Sequence, residues 1–303
     1  MKMNKQEIIK LVSDKLNISH PVVNKFERTP GGMTNDSYFV TINEQRYVVR
    51  IPGKGTDQLI NRKNEKENLI FSSNLGINPN LIYFDVDTGV KITEKINSPT
   101  SLTPTLAKDE YVIKNVISIF KQLHEAKTMM NNRFELFNLM EHYESLVRNE
   151  NALMMEKLLP LKSKIFMLKK IYESFHIIET PCHIDAACSN MIYDSNGELF
   201  LIDWEYSGMF DPIWDIATLF LSFNMNSDEE MFFLKYYFQR EPTNEELQRI
   251  LLHKIFQDYL WTLWVYFKDS KGNSYLADAE KRTQRAHENI QLYDANYNED
   301  IVV

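Results

Sequence analysis

The sequence predicts an α+β protein in two unlike parts: a small lobe with a five-stranded antiparallel sheet and one main helix, then a larger, mostly helical lobe. Two observations carry this expectation. Up to about residue 96 the chain is cut into short runs rich in Val, Ile, Tyr and Phe, whereas after Pro99 the apolar residues recur at helical spacing over long segments. The expected division is therefore 1–96 and 97–303. At 303 residues, 44% apolar and 25% charged, the chain is long and apolar enough to bury a full core.

The elements follow in order. Residues 5–16 alternate charged with apolar positions and read as a leading helix. Strands are expected at 22–28, 37–42, 46–51, 81–85 and 90–96, with Asn43-Glu44 as a hairpin turn between the second and third. A helix at 58–74 interrupts them, with Thr56 or Asp57 as its N-cap and Gly76 after its end. Helices are then expected at 108–126, 136–149, 151–176, 215–224, 228–239, 244–269 and 275–293. Ser227 with Glu230, and Thr243 with Glu246, have the spacing of capping boxes. Within the helical part only 191–193 and 198–202 read as strands, joined by the turn at Asp194-Ser195-Asn196-Gly197.

Composition narrows the class. The formal net charge is -8, which argues against a nucleic-acid partner because such proteins carry a basic footprint. The first 17 residues lack the apolar stretch of a signal peptide, and no window approaches the roughly 20 apolar residues of a membrane helix. Two cysteines, Cys182 and Cys188, give no disulfide framework. They read as small thiols in a reducing compartment, with a redox switch as the alternative. The expectation is a cytoplasmic protein that does not insert into membranes.

The stretch from Cys182 to Asp215 carries chemistry. It reads His183-Ile184-Asp185, four residues to Asn190, a short hairpin, then Leu201-Ile202-Asp203-Trp204-Glu205. Phosphoryl transfer needs a carboxylate to orient the attacking hydroxyl and accept its proton. It also needs oxygen ligands that hold Mg²⁺ on the nucleotide phosphates. Asp185, Asn190 and Asp203 supply those groups. Gly31-Gly32-Met33-Thr34-Asn35 lies between two strands, where backbone N–H groups can reach phosphate oxygens. It is not a P-loop, since no G-x-x-x-x-G-K-[ST] occurs.

This pattern resembles the catalytic and metal-binding loops of the aminoglycoside phosphotransferase and choline kinase superfamily, which implies a protein-kinase-like two-lobe fold. On that resemblance Asp185 is the general base, Asn190 and Asp203 bind Mg²⁺, and ATP is the co-substrate. His183 braces the loop through backbone hydrogen bonds. Asp215, in Asp211-Pro212-x-x-Asp215, is structural, capping the next helix and steadying the loop. Arg50, ending Tyr47-Val48-Val49-Arg50, stands where kinases place a phosphate-binding cation, and arginine keeps the charge with a planar fork of donors. Its expected partner is Glu65, with Glu67 as the other choice. The backbone around Glu94 to Ile96 is expected to bind the adenine edge.

The resemblance narrows to the bacterial, LicA-type choline kinases and spans nearly the whole chain. It rests on Gly31-Gly32-Met33-Thr34-Asn35, Gly53-Lys54-Gly55-Thr56 with Leu59-Ile60-Asn61-Arg62, Leu201 to Ser207, and Gln257-Asp258-x-x-Trp261-x-x-Trp264. Choline carries a quaternary ammonium that donates no hydrogen bond, so its site needs aromatic faces, each worth about 0.5–2 kcal/mol, and a nearby carboxylate. Trp261 and Trp264 share one helix face, Asp258 extends it, and Glu205 and Tyr206 follow Asp203. On periodicity alone the tryptophans read as core. Two positions depart from the group. Ala186-Ala187-Cys188-Ser189 is smaller than the usual loop, and Ser222 stands where a glutamate often faces the ammonium. The competing acceptors are ethanolamine, thiamine or an aminoglycoside; a non-catalytic pseudokinase is the reading from another class.

Overall fold

The computed structural model describes residues 3–29, 35–53, 55–106, 109–272 and 275–297, which group by contact into two units. The first comprises Met1–Leu102, Met130–Asn132 and Ser189–Ser207. The second comprises Thr103–Met129, Arg133–Cys188 and Gly208–Val303.

In the first unit, helix α1 (Lys5–Lys15) opens with a capping box between Asn4 and Glu7. Strands β1 (Val23–Arg28), β2 (Asn35–Ile42), β3 (Gln45–Pro52), β4 (Leu81–Phe84) and β5 (Lys91–Glu94) form an antiparallel sheet in the order β1-β2-β3-β5-β4. Asn43 and Glu44 both take positive φ, which matches the twist of a two-residue hairpin. Ile8 and Val12 of α1 pack on Val40, Ile42, Val49, Ile51 and Ile92 in a buried apolar cluster. Side chains alternate along a strand, so Val49 and Ile51 enter this cluster while Arg50 points to the other face. Lys91 is paired opposite Arg50 and shares that face.

Helix α2 (Arg62–Asn74) begins later than its sequence suggests. Thr56–Gln58 is a separate 3₁₀ turn, and the N-cap is Asn61, which accepts the N–H groups of Lys63 and Asn64. The Thr56 hydroxyl donates to the Gly53 carbonyl instead. The helix ends as expected, with Gly76 at φ 76° beyond its C-cap. A second sheet of order β6-β8-β9 joins β6 (Thr100–Ser101), β8 (Met191–Tyr193) and β9 (Leu199–Leu201). Backbone bonds from Leu201 to Ile77, Leu102 to Met191 and Ser195 to Asn97 place this hairpin with the N-terminal sheet.

The second unit is built on helices α3 (Glu110–His124), α4 (Leu136–Glu150), α5 (Ala152–Tyr172), α6 (Ile213–Phe223), α7 (Ser227–Phe238), α8 (Asn244–Ser270) and α9 (Leu276–Tyr297). The box at Thr243–Glu246 caps α8 as expected. That of α7 lies one residue earlier than expected, at Asn226 with Glu229, because asparagine is as good a cap as serine and precedes it. The core runs along α8, where Leu252, Phe256, Tyr259, Leu260, Leu263 and Phe267 are fully buried. Strands β7 (Thr180–Cys182) and β10 (Gly208–Phe210) pair antiparallel; at three residues each they are too short to leave a periodic signal. Among the described residues, no helix is long and apolar enough to cross a membrane.

Candidate active site

In the first unit, charged side chains gather under the sheet. Arg50, 4% exposed, pairs through Nη2 with Glu65. Its Nη1 donates to Asp203 Oδ1 at 3.1 Å and to Glu205 Oε2 at 3.2 Å. Burial alone would lower the Arg50 pKa, but Glu65, Glu205 and Asp203 raise it, so the guanidinium stays charged. Glu67 accepts from Asn131 at 3.2 Å. Glu205 is pushed up to about 7, chiefly by burial and then by Asp203, with Arg50 opposing. Lys91 is lowered by burial and by Arg50.

Asp203 has φ 69°, an uncommon backbone state, and its side chain is 31% exposed against 0% for Glu65 and 3% for Glu205. It is therefore the accessible acid of the cluster. Asn190, ending a 3₁₀ turn, accepts the Ile202 N–H on its backbone oxygen, which ties it beside Asp203. Oxygen donors of this kind, a carboxylate and a carboxamide, suit a hard divalent cation such as Mg²⁺. Asn35 donates to Glu205 at 3.4 Å. Gly31, Gly32, Met33 and Thr34 lie outside the described residues. Glu94 accepts from Asn80, and with half-buried Ile96 it lines a cavity of about 230 Å³ that also involves Asn78, Asn97 and Phe200.

In the second unit, the loop before Asp185 is clamped. Asp215 accepts the backbone N–H of His183 and of Ile184, each at 2.7 Å, and its Oδ2 meets His124 Nε2 at 3.1 Å. The Ile184 carbonyl accepts from Trp214 Nε1 at 2.9 Å. Ile184 is fully buried with φ 73°, a strained state for a β-branched residue, held because its peptide groups are bonded on both sides. Asp215 does not cap α6 as expected. It lies in the first turn, and Asp211 takes the Ile213 N–H at the helix start instead. Asp211 also binds His253 Nε2 at 2.7 Å and Arg249 Nε at 3.0 Å; against the cost of burial these partners hold its pKa at about 2. Asp185 is half-buried, its carbonyl accepting the Ala187 N–H. Sequence reasoning missed His124. Its signal is a lone histidine on the apolar face of α3.

The residues expected to bind the acceptor fall in both units. Glu205 and half-buried Tyr206 belong to the first. Trp261, half-buried, and Trp264, 7% exposed, lie on α8 in the second. Asp258 is fully buried and bound by Arg285 Nε at 2.8 Å, with Arg282 at 3.8 Å, so α9 already neutralises it. Helical spacing placed that acid on the tryptophan face but carried no sign of the arginines. Ser222 accepts the Cys188 N–H at 2.8 Å. Cys182 is buried, and burial followed by Asp215 raises its thiol well above the ordinary value; Cys188 is half-buried.

Comparison with known proteins identifies the family. The choline/ethanolamine kinase family model matches residues 26–286. Protein LicA of Haemophilus influenzae is 30% identical over 84% of this chain and 77% of its own length. The choline kinase LicA from Streptococcus pneumoniae superposes with a TM-score of 0.81 at 32% identity, covering 94% of this chain and 99% of that one. A LicA structure in complex with AMP gives 0.80 at 32% identity, covering 96% and 100%. The five-stranded sheet and the helical part are thus those of a protein-kinase-like fold. The chain belongs to the choline/ethanolamine kinase family and is an ATP-dependent small-molecule kinase.

Proposed function

We propose that the protein transfers the γ-phosphoryl group of ATP to the hydroxyl of choline, giving phosphocholine and ADP. The observation that carries the reading is the clamped, strained Ile184, which fixes the backbone immediately before Asp185. The Asp185 carboxylate orients the choline hydroxyl and takes its proton as the oxygen attacks the γ-phosphorus and the bond to the bridging oxygen of ADP breaks. Asn190 and Asp203 would hold Mg²⁺, which when bound neutralises charge on the phosphate oxygens. Arg50, braced by Glu65, supplies a permanent positive charge on the phosphate side, and Glu205 supports it there. The cavity beside Glu94 and Ile96 receives the adenine. A cytoplasmic location, where ATP is supplied, suits this activity.

For the acceptor, Trp261, Trp264 and Tyr206 offer aromatic faces. Asp258 is neutralised by Arg285, and Ser222 is engaged by Cys188. A quaternary ammonium donates no hydrogen bond and is held chiefly by aromatic faces, and this together with the similarity to the choline kinase LicA supports choline as the acceptor. The test is ATP-dependent product formation with choline, ethanolamine, thiamine and an aminoglycoside. Choline should give the highest kcat/KM; a better acceptor among the others sinks the choline assignment, and turnover of none of them sinks the kinase reading.

A further inference from the structure

Arg62 begins α2, and its Nη1 sits 2.6 Å from Glu65 Oε2 and 3.5 Å from Glu205 Oε2. Glu65 is therefore gripped from both sides, by Arg50 on Oε1 and by Arg62 on Oε2. Glu205 Oε2 is shared by the same two arginines. Gly89 adds an independent sign that the location of Arg62 is built in. A Cβ on Gly89 would lie 2.6 Å from Arg62 Nε and 3.0 Å from its Cδ. The same glycine has φ 71°, and its carbonyl accepts from Arg50 Nη2 at 3.3 Å. One residue thus seats one arginine with its backbone and makes room for the other by lacking a side chain.

We propose that Arg62 is a positioning residue for phosphoryl transfer, acting through Glu65 and Glu205 on Arg50. Without Arg62, the cations left among the described residues to compensate two buried carboxylates are Arg50 and the more distant Lys91. Arg50 is then drawn away from Asp203, and the nucleotide meets a displaced cation. Lysine at this position keeps the charge but cannot bridge two carboxylates with a planar fork. The inference rests on the kinase reading above.

The test compares wild type with Arg62→Met, Arg62→Lys and Gly89→Ala. Steady-state kinetics on the best acceptor are combined with calorimetric Mg·ATP binding and thermal melting. For Arg62→Met, kcat/KM for ATP should fall on the order of 10- to 100-fold, the range seen when groups supporting first-contact ligands are removed. KM for the acceptor should stay within about twofold, a split that mere loss of fold would not produce. Arg62→Lys should recover only part of the loss. Gly89→Ala, whose Cβ would crowd both Arg62 and Pro52 at a positive φ, should show the same split together with a lower melting temperature. Arg62→Met within threefold of wild type in both kcat/KM for ATP and Mg·ATP affinity overturns the proposal. So does Arg62→Lys at the wild-type level. If wild type turns over no acceptor, the kinase reading fails, and weakened Mg·ATP binding by Arg62→Met still decides this claim.

Discussion

The two units bury charge in opposite ways. In the second, Asp215 and Asp211 are wholly buried, and each is met by backbone N–H groups and cationic or imidazole side chains. Asp211 is correspondingly held at about 2. In the first, Glu65, Asp203 and Glu205 crowd around shared arginines, and Glu205 is pushed up to about 7. A saturated carboxylate gains from its partners and makes a rigid scaffold. A crowded one costs the fold something and leaves an affinity for further positive charge. The contrast fits a stabilising role for the second unit's acids and the ligand-binding role proposed above for the first unit's.

Asp203→Asn gives the sharpest test. If Asp203 holds Mg²⁺ as proposed, its loss should lower kcat/KM by roughly 10³-fold, several kcal/mol of charge stabilisation. The same change relieves repulsion with Glu205, so the melting temperature of the metal-free protein should hold or rise. A clear drop in melting temperature would erase the distinction between the units. Asp215→Ala should do the reverse and lower stability by about 3 kcal/mol, because two backbone N–H groups and His124 lose their acceptor. Urea unfolding measures this, and a loss under 1 kcal/mol would show that the loop is held by other means.

The smallest effect is a pH dependence. Asp211 is near 2 when folded against an ordinary 3.8. Its contribution is therefore fully present above about pH 4 and is lost as pH falls through 2. The size is about 2 kcal/mol, from 1.36 kcal/mol per unit of pKa. Wild type minus Asp211→Asn, followed by urea unfolding from pH 5 to pH 2, should shrink by that amount; a flat difference would mean that Arg249 and His253 do not stabilise the charged form.

The candidate residues were legible in the sequence where they stand close together along the chain. Asp185, Asn190 and Asp203 sit within one loop and hairpin, and Arg50 ends a strand whose alternation separates it from Val49 and Ile51. His124 was not legible, since it meets Asp215 from 91 positions away. Nor were the partners of Asp258, which come from α9, or Asn61 as the true cap of α2, where Thr56 and Asp57 looked equally suitable.

By itself the sequence determined the α+β character, the five strands and the helices, and it offered a set of acids and amides as candidates for phosphoryl transfer. Those properties follow from periodicity and from side-chain chemistry, both of which are local. Only the tertiary structure decided which charge meets which. It gave Glu65 rather than Glu67 to Arg50, turned Asp258 to Arg285, and set Arg62 into the space that Gly89 leaves. The physical reason is that ion pairs and close packing depend on positions brought together from distant segments, and no local pattern encodes those distances.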